Sequence, residues 1–310
     1  MKKLKKNVSL RIEILVVQNF IESFLTKSLT CPRLLFAIQV DGKLFFSSSL
    51  QAPNPNNKTS SSLVLVDHQL YFPTDGSSKE FHHLNGLVYR QEQRKTQSVG
   101  VICHPSTGKS VTLPQVKTKK LAKTNGFIGF DPMEKQFKVL SITCYVVNIF
   151  HLPQEHRVMT LGNGQHIWRN IKNRKPHYPL GKEICINGVL YYLASISENS
   201  SASMIVCFDV RSEISSFIDI DAHMWTLSFN PTLTNYKGKL AAVRSTWRTL
   251  EFLFLEDAKK HKWSNRIYQL RPLCKSNEEL YIVGMTGTGE IVFAPYFLSD
   301  PFCVYFYNRQ

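Results

Sequence analysis

Apolar residues along this chain fall in short runs, several of them alternating with polar residues, and the runs are divided by Gly, Pro, Asn, Asp and Ser. The clearest are RLLFAIQV at 33–40, KLFFSSS at 43–49, SLVLVD at 62–67, SVGVIC at 98–103 and QFKVLSI at 136–142. ICINGVLYYLA at 184–194, MIVCFDV at 204–210, TLEFLFL at 249–255, ELYIVGM at 279–285 and FCVYFYN at 302–308 continue the series. Runs of this length between turn formers predict strands, and their close spacing predicts a sandwich, barrel or propeller rather than βαβ units. One stretch differs. Leu10, Ile14, Val17, Ile21 and Phe24 stand at helical spacing over residues 8–25, which predicts one or two amphipathic helical turns ahead of Pro32.

A repeat narrows the architecture. A turn glycine followed by an apolar strand recurs at Asp41-Gly42, Asn85-Gly86, Asn187-Gly188, Lys237-Gly238 and Thr288-Gly289. The gaps between these glycines are 44, 102, 50 and 51 residues, and the long gap holds a weaker unit, GFIGFDP at 126–132. About twenty residues after three of the glycines a strand runs into a polar turn: VICHPSTGKSVTLP, IVCFDVRSEISSFI and LFLEDAKKHKWSNRI. A period of roughly 50 residues is that of kelch-type propeller blades. The fold expected is therefore all-β and propeller-like, of about six blades, with a short N-terminal helical segment. A lone blade cannot cover its own apolar faces, whereas a ring covers each with the next. Two packed sheets with coincidental spacing are the competing arrangement.

Composition agrees: 20 Phe and 12 Tyr in 310 residues suit a pleated surface. Seven cysteines, with no CxxC pair and no zinc-ligand spacing, read as buried thiols of a reducing compartment. Arg11 and Glu13 break the apolar stretch after MKKLKK, so a secretory leader is not expected and an intracellular location, cytoplasm or nucleus, is. No run of 18 apolar residues occurs. The formal charge of +15 is extreme and draws acidic partners or polyanions. Its clusters at 2–6, 117–123, 169–175 and 259–262 accompany no nucleic-acid fold signature, so solvated loop charge is the plainer reading.

Candidate chemistry is sparse. Pro105-Ser106-Thr107-Gly108-Lys109-Ser110 ends like a phosphate loop, but Cys103 occupies the first glycine position and a strand-like segment follows, which favours a hairpin turn. Cys103 and His104 are neighbours in a strand and point apart. No histidine has a companion at ligand spacing, so no catalytic residue, metal or cofactor is expected. Trp168 and Trp263 follow polar turns and are expected to pack between blades. Trp225 and Trp247, with Arg244 and Arg248 flanking the latter, are the candidate partner-binding residues, because binding hot spots favour Trp and Arg.

Eight ordered blocks from FLTKSLTCPRLLFAIQVDGKLFFSSS at 24–49 through GFIGFDPMEKQFKVLSI at 126–142 to VGMTGTGEIVFAP at 283–295 resemble the type 3 F-box-associated domain of plant F-box proteins. That resemblance implies a propeller-like domain over 31–310 that holds a target protein for a Skp–cullin–F-box ubiquitin ligase. Leu10 to Leu15 resembles the first F-box helix, and Gln18 to Ser28 the segment after the box, so residues 1–30 are expected to be a truncated, helical F-box remnant. Leu10, Ile14 and Leu15 would then be the remnant of the contact with a Skp-type adaptor and its cullin. Two alternatives stay open: a stand-alone protein-binding propeller that no longer engages the adaptor, and a basic propeller that binds RNA or another polyanion.

Overall fold

The computed structural model describes residues 11–17, 33–40, 43–50, 61–62, 70–73, 81–94, 97–105, 107–116, 122–147, 150–151, 155–162, 166–172, 175–196, 203–220, 231–246, 248–270, 279–287, 289–295 and 303–308, and the regular structure among them is all β. The apolar runs pair antiparallel with their chain neighbours into six sheets, each a blade of four strands along its main path.

Blade 1 contains Arg11–Val17, Arg33–Val40, Lys43–Leu50 and Leu70–Pro73, and blade 2 contains Phe81–Leu84, Leu87–Arg94, Gln97–His104 and Lys109–Thr112. Blade 3 is Ala122–Asp131, Gln136–Val147, Glu155–Thr160 and Arg169–Ile171, with Phe150–His151 folded back on its second strand. Blade 4 is Tyr178–Ile186, Val189–Ser195, Ser203–Asp209 and Ile214–Asp219; blade 5 is Thr232–Tyr236, Lys239–Ser245, Thr249–Asp257 and Lys262–Gln269. Blade 6 takes Leu280–Met285, Ile291–Pro295 and Cys303–Tyr307, and its fourth strand is Ser61–Ser62, with Ser62 opposite Cys303 and Ser61 opposite Val304. The first strand of each blade touches that of the next, and Leu280–Met285 touches Arg11–Val17, so the sheets close into a ring.

The core is divided among the blade interfaces. Leu35, Ala37, Leu44 and Phe46 of blade 1 pack on Phe81, Val88, Val101 and Cys103 of blade 2. Tyr89, Ile102 and Leu113 carry the next interface against Ile128, Val139 and Met159. Phe127, Leu140, Ile142 and Val158 then meet Leu190, Tyr192, Met204 and Phe208 of blade 4. Ile186, Leu193, Ile205 and Ile218 meet Leu240 and Leu255, and Ala241, Phe252 and Phe254 meet Met285, Ile291 and Phe293. Phe36 against Val292, Ala294 and Val304 completes the circle. Successive residues of a strand therefore serve opposite interfaces, Val88 toward blade 1 and Tyr89 toward blade 3, which is why the strands read as nearly continuous apolar runs. Trp168 and Trp263 lie at blade interfaces, as expected, the former donating Nε1–H to the Pro114 carbonyl at 2.7 Å.

Hairpin chemistry sets the repeat. Asn85-Gly86, Asn187-Gly188 and Lys237-Gly238 have positive φ at both positions (47° and 79°, 50° and 83°, 52° and 83°), the two-residue turn whose twist matches that of the flanking strands.

The helical expectation for residues 8–25 is corrected where the structure describes them. Arg11–Val17 is a strand, in register with the second strand of blade 1 from Arg11 opposite Gln39 to Val17 opposite Arg33. Helical spacing and strand alternation coexist here: Ile12, Ile14 and Val16 alternate, and β-branched residues favour the ladder that blade 1 offers. Residues 8–10 and 18–25 lie outside the described residues.

Phe208 is 1% exposed in the interface between blades 3 and 4, whereas Ile214, on the outer strand of blade 4, is 55% exposed. Phe208→Ala is expected to cost about 3–5 kcal/mol of unfolding free energy. Ile214→Ala should stay within about 0.5 kcal/mol of the parent in the same denaturant titration.

Candidate protein-interaction faces

Strand direction alternates within each blade, so the turns joining first to second and third to fourth strands emerge at one end of the ring. The turns joining second to third strands, and the blade-to-blade connections, emerge at the other.

The first of these, the turn end, is built on a recurring device. Blade 3 turns from its first to its second strand at Asp131-Pro132-Met133-Glu134-Lys135; blades 4 and 5 turn from third to fourth at Asp209-Val210-Arg211-Ser212-Glu213 and Asp257-Ala258-Lys259-Lys260-His261. In each, the last residue has positive φ: 53° at Lys135, 60° at Glu213 and 50° at His261. The aspartate folds inward onto the turn. Asp131 Oδ1 accepts the Met133 and Glu134 amides at 2.9 and 3.3 Å, Asp209 Oδ1 the Ser212 amide at 2.7 Å, and Asp257 Oδ1 the Lys259 and Lys260 amides at 2.9 and 3.1 Å. Blade 2 makes the turn with His104, whose carbonyl accepts the Thr107 and Gly108 amides, both at 3.1 Å. Lys109 then begins a strand, so the phosphate-loop resemblance is a hairpin.

These turns interlock between blades. A Cβ on Gly188 would lie 3.0 Å from Pro132 of blade 3 and Asn187 Nδ2 donates to the Gly238 carbonyl of blade 5 at 3.3 Å, while within blade 4 the Val210 amide donates to the Gly188 carbonyl at 2.9 Å. Glu213 clamps blades 3 and 4: Lys138 Nζ reaches Oε1 at 2.8 Å and the Arg169 guanidinium binds both carboxylate oxygens. Burial alone would raise the Glu213 carboxyl pKa, but the hydrogen bonds from Arg169 and Lys138 outweigh it and hold it below the usual value. Sequence reasoning missed this clamp. Its only trace is a lysine, Lys138, inside the apolar run QFKVLSI.

At the opposite end the sequence candidates are not brought into one described cluster. Trp225 and Trp247 lie outside the described residues. Arg244 faces Glu251 across the second and third strands of blade 5, with Nε to Oε2 at 2.6 Å and Nη2 to the same oxygen at 2.5 Å. It also borders a hollow lined by Pro231, Ala242, Glu251 and Leu253 with room for about one water, far below what a small-molecule ligand needs. Arg248 is exposed, and its carbonyl accepts the Leu270 amide at 2.7 Å. The turn is fixed by Thr246, whose Oγ1 accepts the Thr249 amide at 2.9 Å. Of the adaptor-remnant residues, Leu10 lies outside the described residues, and Ile14 and Leu15 belong to the first strand of blade 1.

Toward the axis, His82 Nδ1 of blade 2 meets the Glu183 carboxylate of blade 4, both side chains buried, and the His82 ring lies edge-on to Phe127 of blade 3. Tyr89 packs beside it, and burial, with the Glu183 charge second, pushes its hydroxyl well above the ordinary range. His177 shares a 2.8 Å hydrogen bond with the Tyr192 hydroxyl, and its ring meets that of His156 edge-on at 5.1 Å. Burial, then the neighbouring His177 charge, lowers the His156 pKa to about 3. Burial pushes the Cys103 thiol up to about 11, the reverse of an activated nucleophile. Among the described residues no group of three His, Cys, Asp or Glu side chains could hold a metal ion. These polar groups join blades; they do not converge on a cleft.

A closed ring of small antiparallel sheets with interlocked turns defines a β-propeller scaffold. The profile of the F-box associated beta propeller domain matches residues 33–310, and the chain belongs to that family. It is 44% identical over 315 residues to F-box protein DOR of Arabidopsis thaliana, covering 96% of this chain and 78% of that protein. A second F-box protein of the same plant is 42% identical over 306 residues, covering 96% and 68% respectively. Among solved structures, the subtype N11 neuraminidase-like protein of A/flat-faced bat/Peru/033/2010 (H18N11) superposes with a TM-score of 0.52 at 10% identity, over 90% of this chain and 84% of that one, which is a likeness of fold.

Two outcomes follow from these faces. Asp209→Ala removes a cap from one turn and should cost about 1 kcal/mol in denaturant unfolding with an unchanged far-UV spectrum. His156 is held neutral in the fold, with its pKa lowered from about 6.5 to about 3, so the unfolded chain binds more protons in between. Its contribution is intact above about pH 6.5 and is lost as pH falls toward 3. Unfolding titrations at pH 7.5 and 5 should differ by on the order of 2 kcal/mol from this group alone. His156→Leu should flatten that difference.

Proposed function

We propose that the protein is the substrate receptor of a Skp–cullin–F-box ubiquitin ligase, acting in the cytoplasm or nucleus, with the propeller holding the target. The observation that carries this reading is the family match over 33–310, together with a described structure whose buried pairs His82–Glu183 and Lys138–Glu213 join blades. A rigid ring with exposed turns presents a preformed surface, and preformed surfaces lose little entropy on binding a protein. Nothing in this arrangement calls for a reactive side chain.

A second reading, a propeller that captures its target without the adaptor, is supported by one structural feature. Arg11–Val17, which takes in all but Leu10 of the Leu10 to Leu15 segment that resembles the first F-box helix, is committed to the ladder of blade 1.

Purification of the tagged full chain from plant cells separates the two. Stoichiometric recovery of a Skp-type adaptor and a cullin is the result expected of a ligase receptor. A folded chain that captures proteins but neither of those two would establish the second reading and overturn the first.

A further inference from the structure

We propose that the turn end of blades 3 to 5 is the docking surface for an acidic segment of the captured protein, with Met133 receiving an apolar side chain of that segment. The proposal rests on the protein-capture reading above and assigns it a face and a partner chemistry.

The charge at this end has a structural origin. Asp131, Asp209 and Asp257 each aim an oxygen into their own turn, and Glu213 and Glu256 are engaged by Lys138 with Arg169 and by Lys239. These five acids are thereby neutralised locally or turned inward, while Glu134, beside Met133, stays exposed among the cations of this end. Lys135, Arg211, Lys237, Lys259 and Lys260 are exposed on the same turns, and none has a carboxylate within ion-pair distance among the described residues. The contacts from Pro132 to Gly188 and from Asn187 to Gly238 join the turns of blades 3, 4 and 5 into one continuous surface, and Lys239 to Glu256 braces blade 5 within it. Cations on adjoining turns fixed by capped backbone add their fields within about one Debye length, roughly 8 Å at physiological salt.

The apolar content of the surface selects among polyanions. Met133 is 73% exposed at the tip of the blade 3 turn, and no aromatic is among the large hydrophobics exposed in the described residues. Single-stranded nucleic acid is held on aromatic platforms. A thioether on a surface with an excess of cations suits an aliphatic side chain flanked by carboxylates.

The test uses fluorescence anisotropy of the full chain at about 150 mM salt with three labelled probes: a short peptide of Glu and Asp around one Leu, the same peptide with Glu in place of Leu, and oligouridylate. The expected results are saturable binding of the Leu peptide, a loss of about tenfold or more in the Arg211→Glu, Lys259→Glu, Lys260→Glu triple variant, and no loss in Arg248→Glu at the opposite end. Met133→Ser should weaken the Leu peptide severalfold and leave the all-acidic peptide unchanged. A triple variant carrying Gln at the three positions, with an unchanged melting curve, guards against misfolding. Peptide binding at the wild-type level in both triple variants, or dependence on Arg248 instead, would overturn the proposal, and so would tighter binding of oligouridylate that the same reversals remove. Capture experiments separate this from the receptor reading. Undiminished target capture by the triple variants sinks the surface and leaves the receptor standing, whereas a wild-type chain that captures no protein sinks the receptor.

Discussion

The structure depends on one constraint: a four-stranded sheet of this composition has two apolar faces, and each must be covered by another sheet. The pair Phe127 and Tyr192, whose rings stack at 4.8 Å between blades 3 and 4, is one instance; Phe36 against Val292 and Ala294, which shuts the ring between blades 1 and 6, is another. Closure removes any uncovered face but leaves outer strand edges, which need protection from pairing with other chains. Arg169–Ile171 is only three residues long, and Lys109–Thr112 is exposed throughout and opens with a lysine. The last blade is protected differently, by receiving Ser61–Ser62 from the first part of the chain.

That constraint also explains how much of the fold is legible in the order of residues alone. Strands buried on both faces read as apolar runs, and RLLFAIQV, QFKVLSI and TLEFLFL correspond to the strands Arg33–Val40, Gln136–Val147 and Thr249–Asp257. Asn-Gly and Lys-Gly turns, 102 and 50 residues apart with blade 3 inside the longer gap, mark the passage from first to second strand in blades 2, 4 and 5. Blade 1 breaks the rule. Its Asp41-Gly42 joins the second strand to the third, since Arg11–Val17 occupies the inner position. Nothing local to Asp41 distinguishes it from Asn187, so only the pairing of a distant segment decides which strand is innermost. The same competition misdirects the reading of residues 11–17, whose apolar positions satisfy both periods.

The charge arrangement of the candidate faces is far less legible. Of the Trp and Arg candidates, Trp225 and Trp247 lie outside the described residues, and Arg244 is engaged with Glu251 across its own blade. What the sequence does not display is the partnering of charges across blades, because Glu213 and Arg169, or His82 and Glu183, stand far apart in the chain and meet only when the ring closes. Net charge reads as a single number from composition. Its division into acids that brace the scaffold and bases that face solvent requires the turn geometry.

That division links stability to recognition. An aspartate that accepts its own turn's amides does two things at once: it fixes the backbone that carries the neighbouring lysine or arginine, and it withdraws a negative charge from the surface where that cation stands. Removing the cap at Asp209 would therefore loosen the position of Arg211 as well as the turn, and the same holds for Asp257 with Lys259 and Lys260. Rigidly spaced cations bind an extended acidic chain with less ordering cost than the same charges on mobile loops. The interlocks from Pro132 to Gly188 and from Asn187 to Gly238 extend that rigidity from one turn to three blades, so the spacing of the cations is a property of the closed ring and not of any single hairpin.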